Sequence, residues 1–175
     1  RNANLVEQLI CPSTLDTYLS EQAIQIAEHV IAAFDICGLL AVEMFVDKQN
    51  TIWVNEIAPR PHNSGHHTIE SIITSQYEQL LRAIFNFSLG STRIKTPSVM
   101  INLLGEADHE GPVRYEGLTD AMSVEGVKIH LYGKKITKPF RKMGHVTVLA
   151  SSVEEARQKA QFVKHKLKVT SWENR

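Results

Sequence analysis

The chain has 175 residues, of which 43% are apolar, and its 19 Lys and Arg balance 19 Asp and Glu. This neutral composition excludes a broadly cationic nucleic-acid binder, and no apolar run approaches the ~18 residues of a membrane span. The cysteines Cys11 and Cys37 stand apart in apolar surroundings, which is typical of a reducing compartment. We therefore predict a soluble, cytoplasmic, globular protein with one ordinary domain or two small ones.

The first part of the sequence predicts a helix followed by a β-hairpin. Apolar residues at helical spacing indicate a helix over 20–34, with Ser20 as its N-cap and Gly38 beyond its end. Two β-like runs, 39–46 and 51–57, are joined by a short polar loop. Both runs are apolar on both faces, which predicts a sheet packed between layers.

A second helix is predicted over 67–85, after a segment rich in Pro and Gly. Its predicted buried stripe consists of Ile69, Ile72, Ile73, Tyr77, Leu80, Leu81 and Ile84. The polar, turn-rich stretch 90–97 is the best internal boundary, and we predict domains at 1–92 and 93–175.

The remainder of the sequence is mostly β-like. Strands are predicted at 98–104, 127–132 and 145–150. Ser152 and Glu155 form a capping box that opens a last helix over 153–167. This order of elements predicts an α+β fold in two lobes.

The hairpin carries a pair of carboxylates. With a loop centred between Gln49 and Asn50, Glu43 and Glu56 lie directly opposite each other, with Cβ atoms about 5 Å apart. Two like charges there are destabilising unless they are offset, and Mg²⁺ is held by one or two carboxylates together with substrate phosphates. A metal site is one interpretation. The other is a register difference of one residue that sends the carboxylates to opposite faces.

Residues 55–66, NEIAPRPHNSGH, are dense in polar groups and follow the second predicted strand. Small ligands bind at such strand ends in layered folds, and Arg60 is suited to bidentate binding of a planar anion. A polar loop with a helix cap from Asn63 or Ser64 is the alternative. A zinc pair formed by His62 and His66 is disfavoured, because Pro61 and Gly65 make a helix there unlikely and no Glu lies between the two histidines.

Residues 134–142, KKITKPFRK, contain five basic residues and lie between two predicted strands. A solvated surface is the usual explanation of such a run. Because no aromatic ladder or recognition helix accompanies the charge, a phosphate-bearing small molecule fits better than nucleic acid.

Four stretches together resemble the C-terminal half of one ligase family. They are AVEMF at 41–45, NEIAPRPHNSGH at 55–66, HLYGK at 130–134 and RKMGH at 141–145. In order and spacing they resemble the N5-carboxyaminoimidazole ribonucleotide synthetases, which are ATP-grasp ligases of purine biosynthesis. Phe140 departs from the family pattern, in which a small residue usually precedes the Arg.

The resemblance implies the C-terminal part of an ATP-grasp domain, with an antiparallel sheet and helices, followed by a small β-rich domain with a terminal helix. The family's N-terminal domain and its adenine-binding lobe would precede Arg1. We therefore expect this chain to be a fragment that is inactive alone, cut from an enzyme that is a homodimer.

The resemblance also implies the chemistry. ATP would phosphorylate bicarbonate, and the carboxyphosphate, or CO₂ released from it, would carboxylate 5-aminoimidazole ribonucleotide. Glu43 and Glu56 would bind Mg²⁺ or Mn²⁺ that holds the ATP phosphates, and Arg60 would stabilise the charge of carboxyphosphate. The substrate-binding residues would be Asn63, Ser64 and His66 around the aminoimidazole nucleotide, and Lys134, Arg141 and Lys142 on its 5′-phosphate.

Two other functions are open to the sequence. A formate-dependent formyltransferase of the same ATP-grasp class would use the same carboxylate pair. A non-catalytic domain could bind a phosphorylated metabolite through the basic loop, but such a domain has no need of paired carboxylates. No nucleic-acid or membrane partner is predicted.

Overall fold

The computed structural model describes residues 8–172, which form two compact units: residues 13–93, and residues 94–172 with 8–12. The first unit contains α1 (Thr17–Phe34), β2 (Ala41–Val46), β3 (Ile52–Ala58), a 3-10 turn (Asn63–Gly65), α2 (Thr68–Ser71) and α3 (Gln76–Ile84). The second contains β1 (Leu9–Cys11), β4 (Ser98–Leu104), β5 (Gly111–Glu116), α4 (Leu118–Met122), β6 (Val127–Leu131), β7 (Ile136–Thr137), β8 (Lys142–Leu149), α5 (Val153–Lys166) and β9 (Lys168–Ser171). The predicted α+β class is confirmed.

Helix α1 begins earlier than predicted. Asp16 is its N-cap, and the Asp16 carboxylate accepts a hydrogen bond from the backbone N–H of Leu19. Asp35 ends the helix in the left-handed conformation with φ 49°. The predicted cap at Ser20 is therefore wrong, because an Asp one turn upstream already satisfies the free N–H groups.

The second predicted helix is two helices in the structure. Ile72 is extended, and Ser75 starts α3 by accepting a hydrogen bond from the N–H of Glu78. Between them the N–H groups of Ile73 and Thr74 donate to carbonyls of residues 91–93. Pairing with this distant segment replaces the helical hydrogen bonds, and helical periodicity alone does not reveal it.

Burial in this unit differs from the predicted pattern. Of the predicted stripe, Ile72 is buried, whereas the exposed members are Ile69, Ile73, Tyr77, Leu81 and Ile84. On the hairpin, Phe45 and Trp53 are 62% and 59% exposed. The predicted burial of both hairpin faces is therefore wrong within the described residues.

The second unit is built on a four-stranded antiparallel sheet in the order β1-β4-β8-β6. A smaller sheet has the order β7-β5-β9. Helix α5 packs on β4 and β8 through Ala156, Ala160 and Val163, all of which are fully buried. Strands β5, β7 and β9 and helix α4 were not predicted, because each has only two to six residues, too few for a periodic pattern to stand out.

The predicted domain boundary lies close to the division between the two units. Strand β1, however, pairs with Ser98–Met100 of β4 and so belongs to the sheet of the later unit. The sequence of a three-residue strand is too short to indicate which strand it pairs with. The division into 1–92 and 93–175 stays a prediction. None of the helices in residues 8–172 combines the length and the apolar character of a membrane-spanning segment.

The capping box of α5 is confirmed in part. Ser152 accepts a hydrogen bond from the N–H of Glu155, as predicted. The carboxylate of Glu155 accepts instead from the N–H and hydroxyl of Ser151, and it also pairs with Lys159. These hydrogen bonds lower the pKa of Glu155 to about 2, with the Lys159 contact as the largest cause.

Gly144 allows β8 and β6 to approach closely. A Cβ atom at Gly144 would lie 2.3 Å from the carbonyl oxygen of His130. We expect Gly144→Ala to lower the free energy of unfolding by about 2 kcal/mol or more, because the strands must separate. Gly133→Ala is the control: that residue has φ +69° and open space around it, so about 1 kcal/mol is expected. Urea unfolding followed by circular dichroism measures both, and equal losses would contradict the explanation.

Candidate functional site

Glu43 and Glu56 lie opposite each other in the hairpin, as predicted. Nearer the loop, Phe45 pairs with Trp53, which is a register one residue away from that of the Glu43–Glu56 pair. A β-bulge between Glu43 and Met44 accounts for the change of register. The bulge inserts Asn55 into β3, so the predicted loop centre is wrong although the predicted carboxylate pair is confirmed. Without the extra residue, Glu43 would face Asn55 and Glu56 would point to the other side of the sheet.

The hairpin turn is fixed by Asp47. Its carboxylate accepts hydrogen bonds from the N–H groups of Gln49 and Thr51 and from Nε1 of Trp53, each at 2.9 Å. The bond from Trp53 is the largest cause that lowers the pKa of Asp47, followed by the bond from the Thr51 backbone. A turn held in this way fixes which residues of the two strands face each other.

A third side chain joins the carboxylates. Nδ1 of His62 lies 3.5 Å from Oε1 of Glu43, and Nε2 lies 3.7 Å from Oε1 of Glu56. The His62 side chain is 12% exposed, against 34% for Glu43 and 57% for Glu56. One ligand atom from each of the three residues lies within 4.8 Å of the others. From the sequence, His62 is only a disfavoured zinc partner of His66, because its contact with the carboxylates depends on the turn after β3.

His62 is held in place by its neighbours. Its Nδ1 is 2.8 Å from the hydroxyl of Ser64, and its backbone N–H donates to Oε1 of Gln76. Nε2 of Gln76 donates to the carbonyl of His62. The side chain of Gln76 therefore replaces a missing backbone partner for this irregular segment.

Gln76 also requires Gly65 beside it, since a Cβ at Gly65 would lie 2.6 Å from Oε1 of Gln76. Its Nε2 is 3.0 Å from Nδ1 of His66, which also lies 2.8 Å from the hydroxyl of Tyr77. The rings of His66 and Tyr77 stack at 5.9 Å. Burial raises the pKa of Tyr77, so its hydroxyl keeps its proton at neutral pH. Gln76 and Tyr77 begin α3, and no pattern in the sequence connects them with the site.

The remaining predicted residues of this segment are accessible. Arg60 is exposed, and its Nη1 donates to the carbonyl of Pro61 at 3.1 Å. Asn63, Ser64 and His66 are half-buried. The N–H of His66 donates to the carbonyl of Asn63 in the 3-10 turn. The structure thus brings Glu43 and Glu56 together with His62, at the start of a polar segment that continues to His66.

His67, the next residue, gives the unit a pH-dependent stability. Burial lowers the pKa of His67 from its ordinary value of 6.5, and Nδ1 of the ring lies 2.8 Å from the hydroxyl of Ser71. Below pH 6.5 the unfolded chain binds a proton that the folded chain does not, so stability falls as the pH drops toward the folded pKa. The slope contributed is at most ~1.4 kcal/mol per pH unit.

We therefore expect His67→Gln to weaken the pH dependence of the unfolding free energy between about pH 7 and 5. Urea unfolding at several pH values measures the slope. His29→Gln, at an exposed position in the middle of α1, is the matched control for the loss of a histidine. An unchanged slope in His67→Gln would contradict the expectation.

The basic loop, residues 134–142, lies in the other unit and joins β6 to β8. Nζ of Lys134 donates to the carbonyl of Lys142 at 2.6 Å, and Nη1 of Arg141 donates to the carbonyl of Ile136 at 2.8 Å. Arg141 and Lys142 are exposed, and Lys134 is half-buried. Phe140 has φ 60°, which explains why a small residue is better suited to the position before Arg141. The three predicted phosphate ligands therefore lie in one loop, and two of them donate to its backbone carbonyls.

Two family profiles match the sequence. The ATP-grasp domain matches residues 1–77, and the phosphoribosylaminoimidazole carboxylase C-terminal domain matches residues 98–159. Together they reproduce the order of domains that the sequence resemblance implies.

Curated relatives and solved structures agree with these profiles. The N5-carboxyaminoimidazole ribonucleotide synthase of Aquifex aeolicus is 43% identical over 82% of this chain and 38% of that protein. The crystal structure of the synthetase from Thermotoga maritima matches with a TM-score of 0.92 and 50% identity, over 94% of this chain and 46% of that one. A synthase from Aspergillus clavatus, in complex with ADP and 5-aminoimidazole ribonucleotide, matches with a TM-score of 0.84 and 34% identity, over 94% and 44%. This chain spans less than half the length of each.

Proposed function

Since the chain belongs to the N5-carboxyaminoimidazole ribonucleotide synthetase family and corresponds to a C-terminal portion of those enzymes, we propose that it serves the ATP-dependent carboxylation of 5-aminoimidazole ribonucleotide in purine biosynthesis. The observation that carries the proposal is the opposed pair of Glu43 and Glu56, with Arg60 four residues further along the same segment. The ligands of the Aspergillus clavatus complex support ATP and the aminoimidazole nucleotide as substrates. We also propose a cytoplasmic location and a homodimer. Sedimentation velocity of the protein, as its gene encodes it, tests whether it is a homodimer.

The proposed reaction has two steps. A bicarbonate oxygen attacks the γ-phosphorus of ATP, and ADP leaves, which gives carboxyphosphate. The 5-amino nitrogen of the nucleotide then attacks the carbon of carboxyphosphate, or of CO₂ released from it. Phosphate leaves, and the nitrogen loses a proton to give the N5-carboxylated product.

Glu43 and Glu56 are the proposed metal ligands, and their donor set suits Mg²⁺ or Mn²⁺. Two carboxylates on the same face provide the hard oxygen ligands that such ions prefer, and their exposure leaves room for water and phosphate. Glu43 and Glu56 would hold the ion, which would supply positive charge to offset the charge of the ATP phosphates during transfer. The ring nitrogens of His62 lie 3.5 Å and 3.7 Å from an oxygen of each carboxylate, so the three side chains surround one point.

Arg60 is the proposed catalytic residue. Its guanidinium is exposed beyond the end of β3 and is held loosely by the carbonyl of Pro61. Planar donors of this kind match the oxygens of bicarbonate and carboxyphosphate. In this role Arg60 stabilises the negative charge that accumulates as the phosphoryl group is transferred.

The proposed nucleotide-binding residues form two sets, each within its own unit. Asn63, Ser64 and His66 follow the carboxylates, and the hydrogen bonds of Gln76 and Tyr77 orient His66. Lys134, Arg141 and Lys142 bind the 5′-phosphate, for which a cluster of lysine and arginine donors is the expected ligand.

The assay that tests the function compares acid substrates. The protein, as its gene encodes it, is given ATP, Mg²⁺ and 5-aminoimidazole ribonucleotide, with either bicarbonate or formate. We expect ADP release that depends on both the nucleotide and bicarbonate, with incorporation of labelled bicarbonate into the nucleotide. Release stimulated by formate would instead support a formyltransferase. Nucleotide binding without ADP release would support a non-catalytic domain.

A further inference from the structure

Three aromatic side chains lie where the basic loop leaves the sheet, and the proposed function gives none of them a role. His130 of β6 and His145 of β8 are opposite each other in the antiparallel register. Their rings stack at 4.5 Å with an angle of 9°. Gly144 makes this possible, because it has no Cβ to separate the strands at the carbonyl of His130.

Tyr132 is fixed against this stack. Its hydroxyl lies 3.1 Å from Nδ1 of His145, a hydrogen bond whose direction follows the tautomer of the imidazole. The two rings are 5.8 Å apart with an angle of 53°, and the N–H of Tyr132 donates to the carbonyl of Met143. His145 is only 3% exposed, so the Tyr132 ring is anchored to a buried group at one end.

Lys134 lies over the ring of Tyr132. The chain turns at Gly133, with φ +69°, and brings Nζ of Lys134 to 5.6 Å from the centre of the Tyr132 ring. The same Nζ donates to the carbonyl of Lys142. A cation within about 6 Å of a tyrosine ring is attracted to its face. The ring and the carbonyl therefore restrict an ammonium group that would otherwise move freely on a flexible stem.

We propose that Tyr132, anchored by His145, is a positioning residue that orients the Lys134 ammonium for the 5′-phosphate and thereby sets the affinity for the nucleotide. The proposal rests on the proposed function, in which Lys134 binds that phosphate. A lysine side chain loses much conformational freedom when it is held in one geometry. A ligand that meets an already ordered lysine does not have to supply that ordering, so it binds more tightly.

The test is the nucleotide KM and the kcat of the protein as its gene encodes it. Tyr132→Phe keeps the ring but loses the hydroxyl, and we expect KM to rise about threefold to tenfold with kcat unchanged. Tyr132→Leu also loses the ring, and we expect a rise of at least about tenfold. Tyr18→Phe, on the exposed surface of α1, is the matched control and should change neither constant.

A double-mutant cycle separates positioning from general loss of structure. His145→Phe keeps an aromatic ring in the stack but removes the nitrogen that meets the Tyr132 hydroxyl. We expect it to raise KM as much as Tyr132→Phe, and the double variant to be no worse than either single variant. Additive effects, or a fall in kcat that matches the rise in KM, would overturn the proposal.

Lys134→Met distinguishes this inference from the function on which it rests. A large rise in the nucleotide KM supports the phosphate assignment, and unchanged KM would overturn both. If Lys134→Met raises KM while Tyr132→Phe and Tyr132→Leu do not, the phosphate assignment stands and the positioning role fails. Thermal unfolding of each variant shows that it is folded, and Tyr132→Phe alone keeps the test decisive if Tyr132→Leu does not fold.

Discussion

Glu56→Gln is expected to lower kcat about a thousandfold, or about 4 kcal/mol of transition-state stabilisation. The substitution keeps the shape of the side chain but removes one of the two facing carboxylates, and with it a charged ligand of the proposed metal site. Steady-state ADP release by the protein, as its gene encodes it, measures the loss. Mn²⁺ binding to the 175-residue chain, followed by electron paramagnetic resonance, should weaken in parallel.

Glu78→Gln is the matched control for this loss. Glu78 is exposed on α3 and pairs with Arg82 at 2.8 Å, one helical turn away. Removing that surface pair costs about 0.5 kcal/mol of stability at most and should leave turnover unchanged. Near-normal turnover in Glu56→Gln would refute the metal assignment.

The substitution Glu56→Gln should not destabilise the fold. With no metal bound, Glu43 and Glu56 are like charges directly opposite each other, an arrangement that lowers stability. Removing one charge is therefore expected to leave the free energy of unfolding unchanged or to raise it slightly. A carboxylate pair that costs stability but supports turnover indicates a site retained for function rather than for packing.

The hairpin shows what sequence reasoning reaches and where it stops. Two apolar, β-like runs joined by a short polar loop predict both strands, because these signals lie within a few residues of each other. The opposition of Glu43 and Glu56 depends on the bulge at Asn55, which no local pattern marks. The predicted pair is correct, but the predicted loop centre is wrong, and the two together require one extra residue in β3.

His62 and Gln76 show a second limit. His62 contacts carboxylates on both strands, and Gln76 satisfies its backbone from fourteen positions further along the chain. These contacts depend on where the chain turns after β3, and on the break between α2 and α3. At that break, hydrogen bonds to the carbonyls of residues 91–93 replace the helical hydrogen bonds. Helical spacing in the sequence does not show it, because the partner residues are distant along the chain.

In the basic loop, residues 134–142, the structure shows more order than the sequence indicates. A run of charge in sequence usually indicates only a solvated surface. Here the chain forms a turn in which Lys134 and Arg141 each donate to a backbone carbonyl of the loop itself. These hydrogen bonds distinguish the loop from an unstructured run of lysines, and they become visible only in the folded chain.

Arg60→Met is the second substitution with a large expected effect. We expect kcat to fall about a hundredfold to a thousandfold, because the guanidinium acts on charge that develops during transfer to and from carboxyphosphate. The nucleotide KM should change by less than about threefold, since the proposed phosphate ligands are elsewhere. Arg60→Lys should recover only part of the loss, because an ammonium group lacks the planar pair of donors.

The control and the assay together decide where Arg60 acts. Arg93→Met removes an exposed arginine of the same unit and should leave kcat unchanged. If Arg60→Met raises the nucleotide KM and leaves kcat intact, Arg60 binds nucleotide rather than carboxyphosphate. If the loss falls on bicarbonate-dependent ADP release even without nucleotide, Arg60 acts in the first step, because no amine is present to be carboxylated. A loss confined to the complete reaction places it in the second step.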